Sequence, residues 1–254
     1  MTDAVLTETE GAVLVITINR PEAKNAVNGA VAQGIADAVE EFDGRKDLSV
    51  AVITGAGGTF CSGMDLKAFL KGEAPWVDGR GFAGLVERPP LKPLIAAVEG
   101  YALAGGCEVA LSCDMIVASR DAKFGLPEPK RGLVAAGGGL LRLPQRIPYH
   151  IAMEVALTGD FYTAERMAEL GFVNRLAENG GALAAAKELA LKIAENAPLA
   201  LAATKKIIVE SPEWAADEVW AKQGEIVGPV FGSKDAMEGP AAFAEKRKPV
   251  WQGE

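Results

Sequence analysis

At roughly 150 residues per domain, 254 residues make one large domain or two small ones, which excludes a peptide hormone or a minimal metal module. Hydrophobic residues at 49% and charged residues at 24% exclude a disordered tail, a fibrous repeat and a membrane protein. With 26 Lys+Arg against 34 Asp+Glu, a net charge of −8 offers no uniformly basic surface, and no nucleic-acid partner is expected.

The opening Met1-Thr2-Asp3-Ala4-Val5-Leu6 places an acid where an export signal needs bases, and apolar runs such as 94–98 end far short of the ~18 to 20 uncharged residues of a membrane span. Cys61, Cys107 and Cys113 cannot all pair within one chain and form no C-x-x-C. A soluble cytoplasmic protein without membrane contact is expected.

Along the chain, the β-branched run 13–18, bounded by Gly11 and Asn19-Arg20-Pro21, predicts a strand hairpinned with 4–7. Asn28 predicts the cap of a helix carrying Val31, Ile35, Val39 and Phe42, ending near Gly44. The continuously apolar 50–54 predicts a strand covered on both faces, and 94–98 and 115–118 repeat it with a helical segment between them. Strand, helix, strand in succession implies a parallel sheet. Residues 67–93, with Trp76, Phe82, Pro75, Pro89 and Pro90, keep no period and read as an irregular lid or pocket wall. Beyond Pro148, helices are predicted over 149–157, 163–170, 183–196, 198–209 and 214–227. No internal repeat or low-complexity segment is present.

Several motifs narrow the chemistry. Gly55-Ala56-Gly57 follows a strand, but a dinucleotide fingerprint needs glycine where Phe60 stands, and no Walker loop occurs. His150 is the only histidine, no G-x-S-x-G elbow exists to meet it, and a surface position is expected. The same scarcity leaves no metal site built on several histidines. Acid and base chemistry must therefore come from other side chains.

In Glu99-Gly100-Tyr101-Ala102-Leu103-Ala104-Gly105-Gly106-Cys107-Glu108, a strand enters a small-residue turn and then a helix. Unpaired backbone N–H groups at such a start suit a developing oxyanion. Glu108 sits among apolar neighbours, where a carboxylate is costly unless used or hydrogen-bonded, although a solvated first-turn glutamate fits the pattern equally well. Pro127-Glu128-Pro129 fixes a second glutamate in a rigid loop, and Gly137-Gly138-Gly139 serves either phosphate binding or close packing of a helix start.

Together these motifs resemble the crotonase, or enoyl-CoA hydratase/isomerase, superfamily. The resemblance runs from Asn19-Arg20-Pro21-Glu22-Ala23-Lys24-Asn25-Ala26, through Phe60-Cys61-Ser62-Gly63-Met64-Asp65-Leu66, Ala104 to Glu108, Phe124 to Glu128 and Gly137-Gly138-Gly139 with Arg142-Leu143, to Phe243-Ala244-Glu245-Lys246-Arg247-Lys248-Pro249. It implies an α/β fold, a crotonase-like spiral of ββα turns over residues 1–195, with an α-helical trimerisation region over 196–254. A homotrimer or a hexamer built as a dimer of trimers would follow.

The resemblance further implies an acyl-CoA substrate, no cofactor beyond the coenzyme A of that substrate, and no metal. Backbone N–H groups of Met64 and Gly105 would form an oxyanion hole for the thioester. Ala23, Lys24, Ser62, Gly63, Asp65, Leu66 and Gly106 would line the substrate and CoA path, and Lys246, Arg247 and Lys248 would approach the CoA phosphates. Glu108 and Glu128 match the two glutamates of the hydratases, which add water across the 2,3 double bond of a 2-enoyl-CoA to give a 3-hydroxyacyl-CoA in fatty acid or related catabolism. Ala104 stands where the commonest hydratases have glycine, and Ala135-Ala136 depart from the usual proline followed by glycine or aspartate. Lys130-Arg131 and Leu141-Arg142-Leu143-Pro144 lean toward carnitinyl-CoA dehydratase-like members. A non-catalytic acyl-CoA binder and another crotonase-type lyase or isomerase remain the alternatives.

Overall fold

A computed structural model describes residues 3–254. Met1 and Thr2, which begin the stretch read as unlike an export signal, lie outside them. β1 (Val5–Glu10) pairs antiparallel with β2 (Val13–Ile18), Glu10 facing Val13 across the turn. In α1 (Gly29–Gly44), Asn28 accepts the Val31 N–H at 3.1 Å, and Val31, Ile35, Val39 and Phe42 are all buried. β3 (Val50–Gly55) lies parallel to β2.

The segment that reads as irregular holds a single helical turn, α2 (Leu66–Phe69), and a small hairpin of β4 (Trp76–Val77) and β5 (Gly81–Phe82). β6 (Leu94–Val98) runs beside β3, then bends at Gly100 into β7 (Tyr101–Leu103). Gly100 has φ +56, and a Cβ there would lie 2.5 Å from the Gly58 carbonyl oxygen, so only glycine makes this corner. α3 (Gly105–Leu111) returns the chain to β8 (Met115–Ser119), after which come β9 (Lys123–Gly125), α4 (Gly139–Arg146), α5 (Tyr149–Thr158), β10 (Tyr162–Thr163), α6 (Ala164–Glu169), β11 (Arg175–Ala177) and α7 (Ala182–Ala194).

The main sheet has the order β1-β2-β3-β6-β8-β11 and is parallel from β2 onward. A second sheet, β10-β9-β7, is continued by an isolated bridge between Ala102 and Cys61. Successive turns such as β6-β7-α3 and β8-β9-α4 give one strand to each sheet and then a helix, which is the ββα spiral.

Strand alternation decides what fills the two faces of the main sheet. Leu14, Ile16, Ala51, Ile53, Ala96 and Ile116 point into the large core shared with α1 and the second sheet. Val13, Val50, Val52, Ile95, Ala97 and Val117 meet Ala186, Leu189 and Ala190 of α7 on the other face. Covering both faces explains why 50–54 is apolar without interruption. Phe42, Phe60 and Phe124 are fully buried, and truncating any of them to alanine should cost about 3–5 kcal/mol.

Ala197 is extended, and the chain leaves the sheet there to form α8 (Pro198–Glu210), α9 (Val219–Phe231) and α10 (Lys234–Ala244). Lys205 anchors α8 by donating to Asp114 Oδ2 at 2.7 Å and to the Lys92 carbonyl at 3.0 Å. Neither α8 nor α9 buries a residue, and Ile208, Val209, Trp220 and Phe231 are exposed. The helix expected over 214–227 starts later, at Val219, because Ser211–Glu213 is a 3₁₀ turn, and it runs on through Pro229 to Phe231. Among the described residues no helix is long and apolar enough to cross a membrane.

Candidate active site

A cavity of about 1040 Å³ opens between the start of α3, the turn before α2, the β4–β5 hairpin and the loop that follows β9. β7 enters α3 through Ala104, whose φ of +53 with ψ −129 is a backbone that alanine adopts only at a cost. Its N–H donates to the Gly125 carbonyl at 2.9 Å, and its carbonyl accepts the Cys107 and Glu108 N–H groups at 2.9 and 3.1 Å.

Among the described residues the Gly105 N–H has no protein acceptor, and neither does the Met64 N–H. The neighbours of Met64 are engaged: the Gly63 carbonyl accepts the Val27 N–H at 2.8 Å and the Asp65 N–H donates to the Val27 carbonyl at 2.9 Å. A Cβ on Gly63 would lie 3.2 Å from the Gly105 nitrogen, so the two segments pack side by side, and both Met64 and Gly105 line the cavity. Two neighbouring N–H groups without acceptors can hold an oxygen that gains negative charge.

Gly63 and Gly106, expected on the CoA path, do not line the cavity. They are glycines because of packing. A Cβ on Gly106 would come within 2.1 Å of the Cys61 carbonyl oxygen, and one on Gly63 within 2.8 Å of the Ala104 Cβ. The other residues expected there, Ala23, Lys24, Ser62, Asp65 and Leu66, do line it. The Asp65 carboxylate is already spent: it accepts from Lys67 N and Ala68 N at 3.1 Å and pairs with Arg20 at 3.0 Å. Arg20 and Lys67 join Lys24 at this mouth, which their scatter along the chain concealed from the sequence. Lys246, Arg247 and Lys248 lie away from the cavity in this chain, Arg247 being held by Glu238 and Glu245.

The two glutamates share one wall. Glu108, in the first turn of α3, is buried, and its Oε1 accepts the Gly137 and Gly139 N–H groups at 2.7 and 2.9 Å. Burial raises its pKa, and the two N–H bonds and the Arg142 charge oppose that rise. Glu128 starts the 3₁₀ turn Glu128–Arg131 between two prolines and is 8% exposed. Its Oε2 is buried without a hydrogen-bond partner. Burial, with the Glu108 charge adding to it, pushes the Glu128 carboxyl up to about 7. Burial pushes both carboxyls up, and Glu108 is the one gripped by two glycine N–H groups while Glu128 Oε2 has none.

Much of the remaining lining is apolar. Trp76 and Phe82 meet edge to face at 5.6 Å, and Phe82 abuts Gly105, where a Cβ would lie 2.5 Å from its ring. Leu133, Val134 and Phe161 line the cavity as well, as does Arg131. Sequence reasoning found Trp76 and Phe82 and missed the other three, whose one signal is an apolar pair or aromatic next to a turn. His150 is exposed in the first turn of α5 and takes no part.

A profile of the family described as enoyl-CoA hydratase/isomerase matches residues 8–254. The chain belongs to the enoyl-CoA hydratase/isomerase family. A carnitinyl-CoA dehydratase of Proteus mirabilis (strain HI4320) is 43% identical to it over 261 residues, covering 100% of both chains. An enoyl-CoA hydratase from Mycobacterium tuberculosis H37Rv has a solved structure that is 63% identical, with a TM-score of 0.97 over 99% of this chain and 100% of that one. A carnitinyl-CoA hydratase from Mycobacterium avium is 42% identical, with a TM-score of 0.80 over 100% of both chains. The fold is therefore crotonase-like, as the order of its ββα turns implied.

Proposed function

We propose that this member of the enoyl-CoA hydratase/isomerase family is a hydro-lyase that adds water reversibly to the 2,3 double bond of a 2-enoyl-CoA. The observation that carries the proposal is the pair Glu108 and Glu128 on one wall, Glu108 Oε1 gripped by two N–H groups and Glu128 Oε2 without a partner, beside the Met64 and Gly105 N–H groups.

The thioester carbonyl oxygen accepts from those two N–H groups, which stabilises the enolate formed when water attacks Cβ. Glu108, ionised, takes a proton from that water as the C–O bond forms. Glu128, protonated, gives its proton to Cα as the enolate collapses. The product has gained one water, and a proton must pass from Glu108 back to Glu128 before the next turnover. Nothing is oxidised or reduced, so the step needs no cofactor apart from the CoA carried by the substrate. The adenine and phosphate end would lie by Ala23, Lys24, Ser62, Asp65 and Leu66, with Arg20 and Lys67 adding charge.

For the acyl group, Trp76, Phe82, Leu133, Val134 and Phe161 favour an uncharged chain in acyl-CoA catabolism. The Proteus relative's name speaks for a carnitinyl thioester, whose trimethylammonium could sit over the Trp76 face. Arg131 also lines the cavity and its charge opposes that cation, so the aliphatic substrate is the preferred reading. The exposed apolar side chains of α8 and α9 support a trimerisation role for residues 196–254, in a homotrimer or a dimer of trimers. Loss of the enoyl thioester absorbance on mixing with crotonyl-CoA and longer 2-enoyl-CoAs tests the activity. Turnover of carnitinyl-CoA with none of crotonyl-CoA would reverse the substrate preference, and turnover of neither would leave an acyl-CoA binder.

A further inference from the structure

Arg142, on α4, connects two segments that carry cavity-lining residues, the one after Phe82 and the one after Gly137. Its Nη2 donates to the Val86 carbonyl at 2.5 Å, in the segment that follows Phe82. Its Nη1 lies against Gly138, where a Cβ would come within 2.2 Å of it and where φ is +89. Gly138 is the middle of the loop whose flanking glycines donate to Glu108, and the Arg142 N–H donates to the Gly138 carbonyl at 3.0 Å. The guanidinium is half-buried, and its charge acts on Glu108.

We propose that Arg142 is a positioning residue: it braces the glycine loop that grips Glu108, sets its guanidinium charge behind that loop, and ties the segment that follows Phe82, at Val86, to the same brace. One side chain would then fix both the loop that holds the base and the segment that carries Phe82, whose carbonyl accepts the Val86 N–H at 3.3 Å.

The other groups around Glu108 do not supply this charge. Glu128 faces it from the 3₁₀ turn as a second acid, with Arg131 beyond, acting on Glu128. Arg146 lies behind Arg142 on α4 and acts against its protonation. Cys107 and Cys113 are buried thiols pushed up by desolvation, hence neutral. Removing the Arg142 charge should therefore leave Glu108 with burial opposed only by the two glycine N–H groups.

The kinetic half of the proposal rests on the hydratase reading, and the titration half does not. The experiment compares Arg142→Gln, which keeps a donor for Val86 and loses the charge, with Arg142→Lys, which keeps the charge, both checked for folding by circular dichroism. Infrared carboxylate difference spectra against a Glu108→Gln blank follow Glu108 directly. In Arg142→Gln, Glu108 should protonate at higher pH than in the wild type, and Arg142→Lys should restore its titration. With crotonyl-CoA, kcat/KM should fall in the glutamine variant on the acid side of neutrality more than on the alkaline side, and recover in the lysine variant. An unshifted Glu108 in folded Arg142→Gln, or equal losses at every pH in both variants, overturns the proposal. If the glutamine variant does not fold, Arg142→Lys decides: a Glu108 that titrates there as in the wild type supports the charge effect, and one that protonates at higher pH overturns it. A shifted Glu108 in a protein that hydrates no enoyl-CoA would sink the function and leave the brace standing.

Discussion

Glu108 and Glu128 occupy one cavity wall, but Glu108 Oε1 accepts two N–H bonds, at 2.7 and 2.9 Å, whereas Glu128 Oε2 is buried with no donor at all. With Glu128 pushed up to about 7, the two reaction directions should have mirror-image pH limbs. Hydration needs Glu128 protonated, so its rate falls as pH rises through about 7. Dehydration of a 3-hydroxyacyl-CoA needs the same group ionised to take the α-proton, so its rate rises through that range. Rate profiles of crotonyl-CoA and 3-hydroxybutyryl-CoA check this, and two profiles falling on the same side would remove Glu128 from its role.

Burying that acid also has a stability consequence. Below about 4.5 Glu128 holds its proton in both the folded and the unfolded chain; between there and about 7 the unfolded chain alone releases it, so folded stability drops as pH rises. The drop is complete above the folded value. Glu128→Gln should therefore raise Tm at about pH 8, the gain shrinking toward pH 4, while hydration falls by about 10²–10⁴. Glu108→Gln should lose activity on the same scale. Thermal melts at both pH values, set beside turnover, separate the two effects. A glutamine variant at 128 that is less stable at the higher pH would contradict the burial argument.

How much of this was legible in the sequence depended on whether a pattern was local. Asn28 and the Val31, Ile35, Val39, Phe42 stripe describe α1 within one stretch of chain, and 50–54 shows both of its faces in its own composition. β7, β9 and β10 have three, three and two residues, too short to show a period, so the second sheet left no trace. β11 is equally short and was missed as the sixth strand of the main sheet. α10 lies inside the helical region that the resemblance implied over 196–254, but Gly239 and Pro240 interrupt its pattern and left it without bounds of its own. At the site, Glu108 and the small-residue turn were visible because they adjoin. The Gly137 and Gly139 donors are 29 and 31 residues away in sequence, and nothing local links them to Glu108. Gly63 and Gly106 looked like ligand-binding glycines because close approach to a ligand and close approach to Cys61 or Ala104 demand the same residue.

The acyl wall makes a prediction about chain length. Trp76 is 43% exposed and meets Phe82 through its edge, whereas Phe82 is buried against Gly105. Trp76→Ala should change the preference among enoyl chain lengths and leave crotonyl-CoA turnover close to wild type. Phe82→Ala should also lower crotonyl-CoA turnover, since it loosens the wall behind the Gly105 N–H. Equal losses across all chain lengths in Trp76→Ala would place the chain elsewhere.

Ala104 holds a backbone made for glycine, with φ +53 and ψ −129. Ala104→Gly relieves that strain but widens the freedom of the unfolded chain, so the net gain should be small, about 1 kcal/mol in denaturant unfolding, with activity retained. Gly63→Ala should do the opposite, because its Cβ would meet the Ala104 Cβ at 2.8 Å and its own φ is +99. If Ala104→Gly destabilises the protein, the turn owes its shape to the alanine methyl and not to its surroundings.

The oxyanion hole gives the last test, because its donors are backbone groups and side chains can act there only by obstruction. Met64→Leu should cost little, since the Met64 N–H is kept and its neighbours stay anchored to Val27 at 2.8 and 2.9 Å. Gly105→Pro deletes a donor outright, and hydration should fall at least ~10²–10³ fold. The proline ring would also press on Phe82, whose atoms stand 2.5 Å from any Cβ at this position, so folding must be checked first. Gly105→Ala is the control for that pressure, since it brings the same Cβ and keeps the N–H. Activity retained in a folded Gly105→Pro protein would mean that the thioester oxygen is held elsewhere. Equal loss in both variants would assign the effect to Phe82 and not to the missing donor.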